Sequence, residues 1–243
     1  MKARKAIILA AGKGTRMGAL SSQMPKPLVP VAGRALLDRI LDRLKEAKVM
    51  SVVVNIHHLP DMMEAHLQPE IETRYVQVSD ERAALLETGG GVKKALPLLG
   101  TLPFFVINGD ALWVDNSTSS LDRMAALFDP EKMDILLLLA PVSEALGYDG
   151  AGDFTGAFTK DAFPLSFRGE ALSAPYVFAG VQVIKPAQYD GSPEGAWSNV
   201  ELFRKAAAAG RLFGTVIEGH WMHVGTVAAI HEAEAKLTAL GVQ

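Results

Sequence analysis

The sequence predicts an α/β fold: a mixed, mostly parallel sheet with helices on both faces. Two observations carry that expectation. Short apolar runs of strand length alternate with stretches whose apolar residues recur at helical spacing. The glycine-rich and acidic motifs also follow directly on predicted strands, and in such sheets ligands lie beyond the carboxyl ends of the strands.

Each element follows from its local pattern. Lys5–Ala10 reads as a buried strand, running straight into a glycine loop. Leu36, Leu37, Ile40, Leu41 and Leu44 recur between charged residues, so Arg34–Lys48 is an amphipathic helix. Ser51–Ile56 is the next strand, Pro60–Leu67 a short helix and Glu72–Val78 a third strand. Val92–Leu99 reads as a helix opening after a glycine run. Phe104–Ile107, Ser119–Phe128 and Asp134–Ala140 read as strand, helix and strand. Beyond residue 140 the pattern loosens. Tyr148–Arg168 holds only short β-like stretches; Tyr176–Ile184 is a strand, Asn199–Ala209 a helix and Phe213–Val216 a strand. Thr226 is placed to cap a last helix, with Val227, Ile230, Leu237 and Leu240 on its apolar face and Gly241 near its end. With no repeat or linker-like tract, residues 1–243 are expected to form one domain. The regular first part, residues 1–140, and the looser second part, 141–243, would be its two halves.

Composition excludes several classes. The 243 residues are 49% hydrophobic and 21% charged, which is globular rather than disordered. A net charge of −3 gives no basic excess for nucleic acid. There is no cysteine, which rules out thiol nucleophiles and Cys-based zinc sites and fits a reducing, cytoplasmic setting. No apolar run has the roughly 18 residues of a membrane span. Met1–Lys5 followed by Ala6–Ala11 reads as the start of the first strand, not a targeting segment.

Four segments carry the chemistry. Leu9-Ala10-Ala11-Gly12-Lys13-Gly14-Thr15-Arg16 sets small residues and two cations just after a strand, which suits an anion held by backbone amides. Met17 stands where a dinucleotide fingerprint needs glycine, and Gly14 follows Lys13 where a P-loop needs Ser or Thr. Lys26 lies between Pro25 and Pro27 on a stiff backbone that fixes where its ammonium points. Asp110, in Asn108-Gly109-Asp110 at the end of a strand, is placed to hold a divalent cation. Glu87-Thr88-Gly89-Gly90-Gly91 offers helix-terminal amides and glycines to a nucleotide.

Taken together, the glycine loop and the Pro-Lys-Pro segment resemble the sugar-1-phosphate nucleotidyltransferase family, whose fold is Rossmann-like. The resemblance spans nearly the whole chain and implies that residues 1–140 mainly bind the nucleotide and residues 141–243 mainly the sugar phosphate. It implies a nucleoside triphosphate (UTP or GTP) and a sugar 1-phosphate as partners, with Mg²⁺ as cofactor. Arg16 and Lys26 would be the catalytic phosphate contacts. Leu9–Thr15, Glu81, Glu87, Thr88, Gly89 and Asn108 would bind the nucleotide, and Asp110 would be the first metal ligand. Leu86–Gly91, Asn108–Trp113 and Gly152-Asp153-Phe154 look most like the branch that transfers a uridylyl group to N-acetylmuramate 1-phosphate; guanylyl transfer to mannose 1-phosphate is the alternative. By the same resemblance, Asp153, Gly180, Asn199 and Glu201 would meet the sugar phosphate, although Trp197-Ser198-Asn199 departs from that branch. The chain has no hexapeptide repeats for the β-helix that some members append.

His220-Trp221-Met222-His223-Val224-Gly225-Thr226 matches the frame of the family's second metal motif, with His223 in place of Asp. Three readings stand: His223 binds a softer ion such as Mn²⁺; Asp110, phosphates and water hold Mg²⁺; or turnover is lost and the chain only binds ligands. The sequence is silent on oligomeric state.

Overall fold

A computed structural model of the chain describes residues 3–242. Met1, Lys2 and Gln243, at the ends of the expected 1–243 domain, lie outside the described residues, as does the start of the Met1–Lys5 stretch.

The first half runs β1 (Lys5–Leu9), α1 (Ala19–Gln23), a hairpin of β2 (Pro30–Val31) and β3 (Arg34–Ala35), α2 (Leu36–Glu46), β4 (Ser51–Ile56), α3 (Pro60–Glu72) and β5 (Val76–Asp80). It continues through α4 (Glu87–Leu99), β6 (Phe104–Asn108), β7 (Ala111–Asp115), α5 (Ser120–Leu127) and β8 (Ile135–Pro141). The second half holds β9 (Phe154–Thr155), β10 (Phe163–Pro164), β11 (Ser166–Phe167), β12 (Tyr176–Ile184), α6 (Val200–Ala208), β13 (Leu212–Val216), β14 (Gly219–His223) and α7 (Val227–Ala239).

The main path of the central sheet is β10-β13-β8-β12-β6-β1-β4-β5, with β9 and β11 off β12. β6, β1, β4 and β5 are parallel, as are β13 and β8. β12, from the second half, runs antiparallel between β6 and β8 and joins the two parallel groups. Alternate residues of β1 face opposite layers: Ala6 and Ile8 pack with α2 and α3, and Ile7 packs with α4. The five apolar residues of α2 are all buried, each contributing about 1.5–3 kcal/mol. A third cluster lies off the sheet, where α7 packs with β7 and β14. These two strands pair with each other and not with the central sheet.

Several elements differ from the sequence pattern. Arg34–Ala35, expected within the helix Arg34–Lys48, form β3, so α2 runs Leu36–Glu46, and Ala111–Asp115 forms the unexpected strand β7. α3 continues five residues past Leu67, through Pro69, so the strand expected at Glu72–Val78 forms at Val76–Asp80. α4 begins at Glu87, so Gly89–Gly91 lie inside the helix and not before it. β14 was read only as a motif, but it forms a full strand against β7. Thr226 caps α7 as expected, its hydroxyl accepting from the Ala229 amide at 3.2 Å. Among the described residues no helix is long and apolar enough to cross a membrane.

Candidate active site

The site starts where β1 and β6 end side by side, Leu9 in register with Asn108. The Gly109 amide donates to the Leu9 carbonyl at 2.9 Å. A Cβ on Gly109 would lie 2.8 Å from that oxygen, so glycine is what lets Asp110 approach the glycine loop. The loop is pinned from the other side: the Ala10 amide donates to Asn55 Oδ1 at 2.7 Å, and Asn55 Nδ2 donates to Glu81 Oε1 at 2.7 Å. Sequence reasoning missed Asn55. Its signal was a lone amide in the apolar run Val52-Val53-Val54-Asn55-Ile56.

These strand ends open onto a cleft of about 420 Å³. Of the expected residues, Leu9, Ala10, Ala11, Gly12, Gly14, Thr15, Arg16, Lys26, Glu87, Thr88, Asn108 and Asp110 line it, joined by Asn55, Leu85, Ser198 and Gly225. Nothing lies within 4 Å of where a Gly12 Cβ would be, so the loop backbone is open there. Lys13 is exposed and does not line the cleft.

The charged groups are unevenly partnered. Lys26 is 8% exposed and its ammonium donates to the Asp110 carboxylate. Gly14 leaves room for its stem: a Cβ there would stand 3.1 Å from Lys26 Cβ. Arg16, in the tight turn Thr15–Met17, is exposed and makes no ion pair among the described residues. His223 ends β14 opposite Ala111. Its ring leans on Trp221 at 5.8 Å and meets Tyr148 edge-on at 6.1 Å. A Cβ on Gly225 would be 2.6 Å from its Nε2, so Gly225 makes space for the imidazole. Burial holds His223 below the ordinary histidine range. Lys26 and Arg16 push the same way, while Asp110 and Asp149 oppose. Burial thus favours the uncharged ring, and His223, unlike Asp110, does not line the cleft.

Glycines 89–91 serve packing. Cβ atoms there would lie 2.3 Å from the Trp197 ring, 2.0 Å from the Gly195 carbonyl oxygen and 2.8 Å from Asn55 and Glu81. The Gly89 and Gly90 amides donate to the Trp197 carbonyl at 2.8 and 3.3 Å, so they are not the bare helix-terminal donors expected. Gly89 does not line the cleft. Neither does Glu81, which is fully buried beneath the run, accepting from Asn55 and from the Leu86 amide at 3.1 Å.

The four residues expected on the sugar side are scattered. Asp153 lines a second cleft, its Oδ2 accepting from the Phe178 amide at 3.0 Å. Gly180 sits at a bulge of β12 with φ +82°, its would-be Cβ 3.3 Å from Asn108 and Ala111. Asn199 is buried, accepting from the Tyr189 hydroxyl at 2.9 Å, while its amide donates to Thr88 Oγ1 at 2.9 Å. Glu201 is exposed and lines neither cleft.

Residues 6–148 match the model of the MobA-like NTP transferase domain. The chain belongs to that family of nucleotidyltransferases. It is 44% identical to the N-acetylmuramate alpha-1-phosphate uridylyltransferase of Caulobacter vibrioides, over 96% of each chain. To the enzyme of that name from Neisseria meningitidis it is 35% identical, over 95% of this chain and 97% of the other. The fold of this nucleotidyltransferase is also that of an apo UDP-glucose pyrophosphorylase. That structure covers 99% of this chain and 100% of its own, with a TM-score of 0.80 at 16% identity.

Proposed function

We propose that this nucleotidyltransferase moves the uridylyl group of UTP onto N-acetylmuramate 1-phosphate and releases pyrophosphate. The observation that carries the reading is its 44% identity, end to end, with an enzyme named for that reaction. The convergence of Arg16, Lys26 and Asp110 on one cleft supports it.

A sugar-phosphate oxygen would attack the α-phosphorus in line as the bond to pyrophosphate breaks. The nucleophile is already ionised, so no general base is needed. Placement and charge neutralisation supply the rate. The Leu9–Thr15 backbone would cradle the triphosphate, and Arg16 and Lys26 would meet the charge leaving with pyrophosphate. Glu87, Thr88 and Asn108 would position the nucleoside.

The residues present fit a divalent ion. Asp110 offers a hard carboxylate at the cleft, and His223, outside the lining but within electrostatic reach of Asp110, would offer an imidazole. Among the described residues no third His, Asp or Glu completes a cluster. An ion there would depend on phosphate oxygens and water for its other ligands, as Mg²⁺ commonly does. When bound, it would neutralise the phosphates and polarise the α-phosphate. Mg²⁺ is the proposed cofactor, with Mn²⁺ favoured if His223 is a ligand. The setting is proposed to be cytoplasmic, which the absence of cysteine fits.

Pyrophosphate release with UTP or GTP against N-acetylmuramate, mannose and N-acetylglucosamine 1-phosphates tests this. Turnover of UTP with N-acetylmuramate 1-phosphate is expected. Turnover confined to GTP and mannose 1-phosphate would replace the reading with guanylyl transfer.

A further inference from the structure

The second cleft, about 460 Å³, has a composition unlike the first. Arg168, Arg204 and Asp153 line it beside the rings of Phe167, Phe178 and Phe203. Among the described residues neither guanidinium has a carboxylate partner. Arg204 lies over the Phe167 ring at 6.0 Å. Arg168 reaches only the Ala171 and Leu172 carbonyls, at the long distances of 3.5 and 3.4 Å. One oxygen of Asp153 is occupied by the Phe178 amide. Two cations against one carboxylate leave the cleft positive, in a chain whose net charge is −3. Aromatic walls with unpaired guanidinium groups suit an anion carried on a partly apolar frame.

The two clefts are lined by near neighbours along the chain. Ser198 lines the first and Val200 the second. Phe178 lines the second, while Gly180, two residues along β12, packs against Asn108 of the first. Two strand residues span about 6–7 Å, the scale of a single sugar ring. A sugar whose phosphate lies by Asp110 could thus extend a substituent towards Arg168 and Arg204.

Among the sugar 1-phosphates considered, N-acetylmuramate has a second anionic group, the carboxylate of its ether-linked lactyl arm. Mannose, glucose and N-acetylglucosamine have none. We propose that Arg168 and Arg204 bind this lactyl carboxylate, and that the second cleft selects the acidic sugar. The inference rests on the function proposed above and adds the residues that set its specificity.

The test compares N-acetylmuramate 1-phosphate with N-acetylglucosamine 1-phosphate, the same amino sugar without the lactyl arm. Wild type is set against Arg168→Gln, Arg204→Gln and Arg204→Lys, with UTP affinity measured by calorimetry to show that each variant keeps its nucleotide site. Each Gln variant is expected to lower kcat/KM for the acidic sugar about 10- to 100-fold. The loss should appear mainly in KM, with a smaller effect on N-acetylglucosamine 1-phosphate; Arg204→Lys should recover part of it. An unchanged KM for the acidic sugar, or equal losses on both sugars, would overturn the inference and leave the proposed function standing. If wild type turns over the 1-phosphate of a sugar without a carboxylate but not N-acetylmuramate 1-phosphate, the function falls and the inference with it.

Discussion

Residues 1–140 and residues 141–243 build their functional surfaces by different means. In the first half, reactive side chains sit just past parallel strands. Arg16 follows β1, Asp110 follows β6, and Lys26 is held beside Asp110. In the second half, β12 enters antiparallel between β6 and β8, and short strands, a bulge and a loop bring distant residues together. A strand end presents its ligand groups in a short stretch of chain. A surface assembled by insertion depends on contacts between residues far apart in sequence, such as Asn199 with Thr88.

The largest expected effects test the charged end of the first half. Arg16→Ala, Lys26→Ala and Asp110→Asn should each lower kcat at least about 100-fold, since removing a preorganised electrostatic group of this kind commonly costs about 2.7–4 kcal/mol, a factor of about 100 to 1,000. Near-normal kcat in folded variants, measured in the steady state, would remove that residue from the site.

A pair of glycines sharpens the contrast between open and packed backbone. Gly89→Ala would drive a Cβ into the Trp197 ring and should cost about 3 kcal/mol. At about 2–4 °C per kcal/mol for a chain of this size, Tm should fall by roughly 6–12 °C. Gly12→Ala meets open space, so it should leave Tm in place and raise KM for the nucleotide. Equal Tm losses in the two variants would erase the distinction.

Much of the first half was legible in the sequence because its signals are local. The apolar spacing of α2 and the run of β4 follow directly from residue order. So does Lys26 between its prolines, and all but Lys13 of the expected glycine-loop residues line the cleft. The misreadings have a common cause. Gly89–Gly91 look like a helix breaker until Trp197, more than a hundred residues away, is seen against them. The helix expected over Pro60–Leu67 runs on through Pro69 to Glu72. Glu81 is expected to bind the nucleotide, yet Asn55 and the Leu86 amide hold it in the interior. Asn199 and Glu201 looked like sugar contacts by position in the chain. Only the fold turns one onto Tyr189 and the other to solvent.

Smaller effects probe this second group. Asn199→Ala strands the buried Tyr189 hydroxyl and should cost about 1 kcal/mol by chemical denaturation. Glu201→Ala should stay within about 0.5 kcal/mol of wild type.

The smallest effect concerns the seam beside β8, where Asp134 is held by Lys185 and Arg211 at 2.9 and 3.0 Å. Burial pushes this carboxyl up, but the two cations outweigh burial and keep it below the usual carboxylate range. Its folded value is depressed, so its stabilisation is present above the unfolded value of about 3.9 and is lost as pH falls through the folded value. The Tm gap between wild type and Asp134→Asn should therefore narrow below about pH 4. A gap that stays constant to pH 2 would argue against the ion pairs.

The most direct test of the central claim is pyrophosphate release by the wild-type chain with UTP and N-acetylmuramate 1-phosphate, with Mg²⁺, with Mn²⁺ and with chelator. The expected result is turnover with metal that is lost with chelator, with N-acetylmuramate preferred over N-acetylglucosamine 1-phosphate. Silence with both metals while UTP still binds by calorimetry would contradict the proposed reaction, and recovery of turnover in His223→Asp would then trace the loss to His223.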